Sequence, residues 1–589
     1  MKGFLQQFLV LFLSILIVGS LYAQTGPGGV GGHENDIEEG SPINALWLRA
    51  GDLTLSDGAF VTRWPDVSGY NHAAVPGLEG KEGIFFHPDQ VNGHPWVRFH
   101  GENYLRVANN PVLDGGEGFG IFVIAKRDLQ VVDKYGTHNN ILAKRAHWNA
   151  WSHTSNISMD AEGLQHAYEL RWDRVRADDG ETYPDTMAIT AFANGNLPDG
   201  AGADVFAKKE DTQDIDASYL ISYLYSNHEE SYGTKLRINT SQTNRPGRNE
   251  GNPNPLRVGP VVESSKDLWL GGAQYDPPGA FGEGSDRDEC PTCTETDLLE
   301  GALSEVIIYK GTLWHTHIFI VENYLSLKYG LPIDTVKYYD DEVHIYDMVG
   351  IGNEFGDDKK HSMSTSHALT IQELNESLNE PKNYLFAAHD GVPTDWVTEG
   401  LEAYEGTQRW GRTWKFTKMG DVDVRLSFNF ITAELNLSTS SANVARHRLA
   451  WRENPEDPFT ILPQPAPTRQ LRTLHFEVPS ELIKDGYYTV VFGYEEGTDV
   501  HIPDQIANSL EVFPSPARDQ LSIRFHDDHT GKLTIRMLDV AGREVITVSD
   551  QKFDALYEHN LDVSRLQNGI YFLELTINGH QAVKRVIKH

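Results

Sequence analysis

Apolar residues alternate with polar ones in short runs along most of this chain, and Gly, Asn, Asp and Pro punctuate the runs. That period of two belongs to strands with one buried face. "NALWLRAGD" opens the series, with Leu46 and Leu48 alternating with more polar positions and Trp47 adding bulk. Runs at residues 96–101, 104–107, 120–127, 219–226, 267–272 and 302–311 continue it. Their turn-rich separators predict a two-sheet sandwich over residues 44–333. The period changes once, in "TLWHTHIFIVENYLSLKYGLP", where Trp314, Ile318, Val321 and Leu325 share a helical face. Thr312 is expected to cap this helix, and Gly330 with Pro332 to stop it. Alternation then resumes in "MVGIGNEFG", "ALTIQEL", "NYLFAAHDG", "RWGRTWKF", "VDVRLSFNF" and "YYTVVFGYEE", a second β-sandwich over 334–495. A linker at 496–508 precedes a last group of strands at 509–589, enough apolar residues for a small independent core. The fold class is mainly β, as multi-domain β-sandwiches.

Both ends depart from this rhythm. Residues 1–23 carry Lys2, an apolar run at 8–18 and small residues before Gln24. That is the build of a secretory signal peptide cleaved between Ala23 and Gln24. The apolar run is shorter than the ~20 residues a membrane-spanning helix needs, and no later segment is longer, so no transmembrane segment is expected after signal removal. Residues 24–43, "TGPGGVGGHENDIEEGSP" from Thr25, read as a flexible, Gly-rich and acidic leader.

A formal charge of -34 excludes nucleic acid as a partner, because phosphates would be repelled. It is compatible with divalent cations. The two cysteines, Cys290 and Cys293, lie in "DECPTCTETD" without a second pair to complete a zinc cage. Export favours a disulfide between them, pinning a surface loop. Asp286 and Asp288 beside them are candidate calcium ligands, although they match no loop with fixed ligand positions; an acidic, solvated loop is the alternative.

Four segments of the tail, "VFPSPARDQLSI", "LDVAGREV", "LDVSRLQNGIYFLELTING" and "KRVIKH", follow one another to the terminus. In that order they resemble the type A C-terminal sorting domain of the type IX secretion system of Bacteroidota. Pro514, Pro516, Gly542, Gly569, Tyr571 and Lys584 carry the resemblance, and Ser515 stands where the family usually has Asn. It implies a small immunoglobulin-like sandwich, the type IX secretion machinery as partner, and passage through the periplasm to the outer-membrane surface or the medium. It also implies removal of the tail within 497–508. Lys584, Arg585 and Lys588 form a basic strand for recognition by that machinery, or an edge guarded by charge.

A second stretch, "LWLRAGD…VTRWPDVSGYNHAA…NGHPWVRFHGENYLRV" with "GALSEVIIYKGTL…VENYLSLKYGLPI", resembles LamG-like, concanavalin A-type jelly rolls of bacterial surface proteins. Trp64, Asp66, Ser68, Gly69 and His72 match its W-x-D-x-S-G…H element, while His100 replaces a common Asp. Such folds serve lectins, adhesins, hydrolases and lyases alike, so the site has to decide. Hydrolases of this group often place acids as E-x-D-x-E on one strand. Glu34, Asp36 and Glu38 have that spacing, but they sit in the leader, where nothing would fix carboxyl groups about 5–5.5 Å apart. Binding has more support: Trp148, Trp151, Tyr168 and Trp172 concentrate flat rings among polar residues, suited to sugar faces or to core packing. His315 and His317, two apart on a helix, cannot share a metal. The expected function is non-catalytic binding of a glycan or a surface protein. The alternatives are a polysaccharide-degrading hydrolase or lyase and a structural envelope component.

Overall fold

The computed structural model describes residues 25–37, 40–128, 139–144, 167–174, 187–196, 202–209, 214, 217–242, 259–274, 295–296, 298–333, 337–392, 395–404, 406–430, 444–463, 466–470, 472–494, 510–526, 531–539, 543–554, 556–577 and 580–589. The chain divides into two compact units. One comprises Met1–Thr394, Arg412–Leu437 and Pro467–Tyr488, the other Asp395–Gly411, Ser438–Ala466 and Thr489–His589. The protein is mainly β, as the alternation predicts.

In the first unit, one sheet runs Ser241–Gln242, Thr234–Ile238, Tyr219–Ser226, Gly118–Arg127, Glu300–Lys310, His94–His100, Ile84–Val91, with Ile43–Arg49 also paired to Glu300–Lys310. A second runs Gly202–Lys209, Met187–Asn196, Tyr168–Arg174, Asn139–Lys144, Leu268–Leu270, Leu105–Val107, Val75–Pro76. Every described pairing in these two sheets is antiparallel. Their inward residues make one core in which Trp64, Trp172, Tyr168 and Tyr223 have no exposed surface. The central strand Glu300–Lys310 is buried along nearly its whole length, because the first core covers one face and the helix the other.

That helix is His315–Tyr329, and its Trp314 cap offers no side-chain hydrogen bond. Thr312, the expected cap, is instead bonded to Ser226 Oγ at 2.8 Å. Gly330 ends the helix at φ 62°, a left-handed value that glycine adopts without steric cost. Helix positions on every side are buried, Glu322 and Asn323 among them. One side faces the sandwich; another meets Tyr338, Tyr384 and Phe386 of the β region that follows. In the same unit Tyr346–Asn353, Asn383–His389 and Trp414–Met419 pair in order. A five-stranded sheet runs Met363–Ser366, Leu369–Glu373, Val424–Asn429, Thr473–Val478, Thr468–Gln470.

The leader differs from expectation. Gly26 to Val30 are buried, Val30 within the helix's own core. Glycine lets the backbone lie where no side chain fits: Gly28 (φ 66°) faces Ile320, and Gly29 (φ 80°) faces Ser364. The carbonyls are taken up as well. Ser364 Oγ donates to Gly28 O at 3.0 Å, His361 Nε2 to Gly29 O at 3.1 Å, and Tyr309 OH to Val30 O at 3.1 Å. A segment without side chains to count reads as flexible, whereas its packing resides in backbone groups.

In the second unit Trp396–Val397 pairs with Gln408–Trp410, and His447–Arg452 with Thr460–Ile461. The same unit contains the C-terminal module, with sheets Glu511–Phe513, Gln520–His526, Leu556–Asp562 and Glu544–Lys552, Gly531–Asp539, Gly569–Ile577, His580–Lys588. Leu521, Ile523, Phe525, Leu533, Ile535, Leu573 and Leu575 fill its core.

Candidate functional site

Trp148, Trp151, Asp286, Asp288, Cys290, Cys293, Ala23, Gln24 and Gly542 lie outside the described residues, as does the whole linker at 496–508. Tyr168 and Trp172 are described, and both have 0 % exposure in the first core. Tyr168 OH is spent on Leu113 O at 2.8 Å. A ring with no open face cannot stack on a sugar, so the stacking role expected of these two is corrected to core packing.

The W-x-D-x-S-G element is also architectural. Asp66 accepts from Trp47 N, Ser68 N, Ser68 Oγ and His72 N, all within 2.8–2.9 Å, which fixes the loop against the first strand. Glu305 is a fully buried carboxylate engaged on both oxygens. It accepts from Trp47 Nε1 (2.6 Å) and Tyr324 OH (3.0 Å) on one oxygen, and from Lys328 Nζ (2.6 Å) and Tyr329 OH (2.7 Å) on the other. Burial alone would raise its pKa; the Lys328 ammonium and these bonds outweigh that and hold it below the usual carboxylate range.

Two histidines of the helix's first turn meet different surroundings. His317 is buried with its ring centre 5.3 Å from that of His361. Burial holds His361 down at about 4, against its hydrogen bond to Gly29 O, and burial with His361 nearby pushes His317 well below its ordinary value. A histidine whose folded pKa is depressed stabilises the fold above its unfolded value of ~6.5 and loses that contribution as pH falls toward the folded value. For His361 the window is about 6.5 to 4, and the full effect roughly 3 kcal/mol. Glu322 works in the opposite direction, because burial raises it to about 7. The contribution of His361 is therefore read as a difference. The stability advantage of wild type over His361→Gln is expected to shrink between pH 7 and pH 4.5 by roughly 2–3 kcal/mol. Parallel melting curves of the two proteins across that range would refute it.

His315 lies with a second group on the sandwich edge. Lys235 and Arg237, two apart on one strand, share a face. Arg237 pairs with Glu322 at 2.9 Å, and Glu322 also accepts from Ser222 Oγ at 3.0 Å. Lys235 Nζ donates to His315 Nε2 at 3.1 Å and lies 4.8 Å from the centre of the Tyr232 ring. Burial first, then Arg237, lowers Lys235 to about 8; burial, then Lys235, lowers His315 to about 4. Phe355, 59 % exposed, meets the His315 ring edge to face at 5.0 Å. Half-buried Trp314 carries Lys359 Nζ 4.9 Å from its ring centre. Sequence reading missed this group because its members come from three separated segments; only the paired cations of "TKLRI" were visible. Its chemistry suits a ligand with an apolar face and an anionic substituent.

In the C-terminal module, Tyr571, Leu573, Leu575 and Ile577 point inward, while Ile570 and Phe572 are 43 % and 38 % exposed. Gly569 opens this strand, and Tyr571 OH donates back to Gln567 O at 2.9 Å. The basic residues separate by strand parity: half-buried Lys584 lies opposite Leu573 on the inward side, Arg585 is exposed on the other, and Lys588 is buried. The Pro514–Pro516 segment lies beside the final strand. Ser515 Oγ accepts from Ile587 N (3.3 Å), Ala517 N donates to Ile587 O (2.7 Å), and His589 N donates to Ala517 O (2.8 Å). Those bonds hold the chain's last residues in place.

Residues 511–589 match the family model described as "Secretion system C-terminal sorting domain". No curated protein matches the chain. Among solved structures it is similar to domain 4 of AbnA, a GH43 extracellular arabinanase from Geobacillus stearothermophilus in complex with arabinotriose (11 % identity, 45 % of this chain and 98 % of that one, TM-score 0.24). It is also similar to the carbohydrate recognition domain of Emp47p (12 %, 47 % and 100 %, TM-score 0.22) and the binding domain of botulinum neurotoxin serotype D (10 %, 88 % and 96 %, TM-score 0.27). Likenesses at those scores carry no argument about this chain. No helix among the described residues is long and apolar enough to cross a membrane. What the tail establishes is its own role: it is a sorting domain of the type IX secretion system, and the protein is cargo exported to the cell surface or the extracellular space.

Proposed function

We propose that the exported protein is a non-catalytic binding protein that recognises a glycan or a surface protein through its N-terminal sandwich. The observation that carries this reading is the sorting domain, since cargo sent outside the cell meets its ligand there. Exposed Phe355 with half-buried Trp314, Tyr232 and Lys235 supplies rings and a cation at the sandwich edge, while Glu305 and Asp66 are engaged as internal struts. Phe572 and Ile570 on the outer sheet face, beside Arg585, give the tail a surface for the secretion machinery.

Deletion of residues 511–589 is expected to leave the protein inside the cell, measured by immunoblotting of cell and medium fractions. Export equal to wild type would remove the premise. The full mature chain is expected to bind members of a glycan or surface-protein panel without releasing reducing sugar. Sugar release from a bound polysaccharide would replace the reading with hydrolysis, and eliminative cleavage seen as new unsaturated ends would replace it with a lyase.

A further inference from the structure

The cations at the sandwich edge are not equally satisfied. Arg237 is answered by Glu322, and Lys359 by Asp358 at 2.9 Å and Glu230 at 3.6 Å. Lys235 makes no salt bridge among the described residues, with Glu322 acting on it only from a distance; its ammonium donates to the neutral His315 ring. The Tyr232 ring lies 4.8 Å from that ammonium, and its hydroxyl is buried without a hydrogen-bond partner. A buried hydroxyl left unbonded is destabilising, so both polar groups are set to gain from an arriving partner. The ring of Phe355, 59 % exposed and in edge contact with His315, supplies an apolar surface next to them. Trp314 extends it on the same turn, the start of the helix, which carries no acidic residue to repel an anion.

We propose that Tyr232, Lys235, His315 and Phe355 form a subsite for a uronic-acid unit of an anionic polysaccharide, its carboxylate on Lys235 and a pyranose face against Phe355. The proposal deepens the glycan-binding reading and rests on it. Three features of the group select this chemistry. One ammonium without a salt bridge matches one carboxylate per sugar; an exposed ring matches the C–H face of a pyranose; an unbonded hydroxyl on the ring that faces the cation matches a sugar hydroxyl. The bound carboxylate supplies the counter-charge that Arg237, a like charge, withholds, and a charge-assisted hydrogen bond forms in a half-buried setting. The net charge of -34 repels a polyanion at long range, so recognition is local and is best measured near 0.15 M salt, where the Debye length is about 8 Å.

The test is calorimetric titration of the full mature chain with polygalacturonate, with a neutral arabinan, with a sulfated chondroitin and with poly-glutamate. Polygalacturonate is expected to bind. Lys235→Met and Phe355→Ala are each expected to weaken it about tenfold or more, with melting temperature unchanged, Phe355 being exposed enough to leave folding intact. Tighter binding of the sulfated polymer would overturn the carboxylate assignment, and equal, Lys235-dependent binding of poly-glutamate the saccharide assignment. If arabinan binds and both variants leave it unaffected, the subsite fails while the glycan-binding reading stands. If no polysaccharide binds, the subsite and the glycan reading fail together.

Discussion

Glu305→Ala is expected to destabilise the first unit by about 3–5 kcal/mol, the cost of removing one partner from a buried ion pair. The carboxylate is fully buried and Lys328 is 16 % exposed, so the substitution strands an ammonium that water reaches only in part. It also deprives Trp47 Nε1, Tyr324 OH and Tyr329 OH of their acceptor, and all three belong to buried residues. Each group left unpaired in the interior adds a desolvation penalty of about 1–3 kcal/mol, offset where relaxation admits water. Because Glu305 joins the central strand to the helix while Trp47 belongs to the first strand, the loss falls on the packing of strand and helix together. Urea denaturation read alongside hydrogen exchange of the helix amides measures it, and a loss below about 1 kcal/mol would contradict the geometry. The double variant Glu305→Leu/Lys328→Met separates charge from packing. With neither ion left in the interior it is expected to recover much of the loss, since apolar replacements of buried pairs are often neutral or stabilising.

How much of this was readable beforehand depends on which groups carry the interaction. Alternation located strands because burying one face leaves a period of two in side-chain polarity; the strand at 302–311 was found as an apolar run between turns, although both its faces are buried. It gave no sign that Glu305 inside that run would be the helix's anchor, since four partners from distant positions leave no local spacing. The helix was found from its period and stopped where Gly330 predicted, yet Thr312 proved to be a partner of Ser226 rather than the cap. Aromatic content identified Tyr168 and Trp172 as important without revealing which side of the sheet they face; their exposure settled that. In the tail, Tyr571, Leu573, Leu575 and Ile577 turn inward while Ile570 and Phe572 belong to the open face, so apolar residues on both sides of that strand hide its period. The order of its motifs was nevertheless specific enough to identify the sorting domain, because turns and prolines at fixed places are written locally.

The leader is where sequence reading and structure diverge most, and Gly29→Ala tests the difference. A methyl group built on Gly29 would come 1.7 Å from Ser364 Oγ and 3.1 Å from Thr365 N, at a backbone φ of +80°. Ser364 Oγ has little freedom to retreat, because it donates to Gly28 O at 3.0 Å and accepts from Gly350 N at 3.2 Å. Left-handed backbone costs an alanine about 1–2 kcal/mol, and overpacking a tight site about 1–3 kcal/mol more. The variant is therefore expected to lose about 2–5 kcal/mol, or to expel the leader and expose the carbonyls that Ser364, His361 and Tyr309 now bind. Gly40→Ala provides the control. Gly40 shares the left-handed backbone, at φ +90°, but has nothing within 4 Å of its Cβ position, so it should lose only the backbone term. Thermal melting together with limited proteolysis at residues 25–32 distinguishes the two. Equal, small losses in both variants would mean that the leader lies loosely on the surface after all; a large loss confined to Gly29 would make residues 26–30 part of the protein's core, held by backbone groups that hydrophobic patterning cannot register.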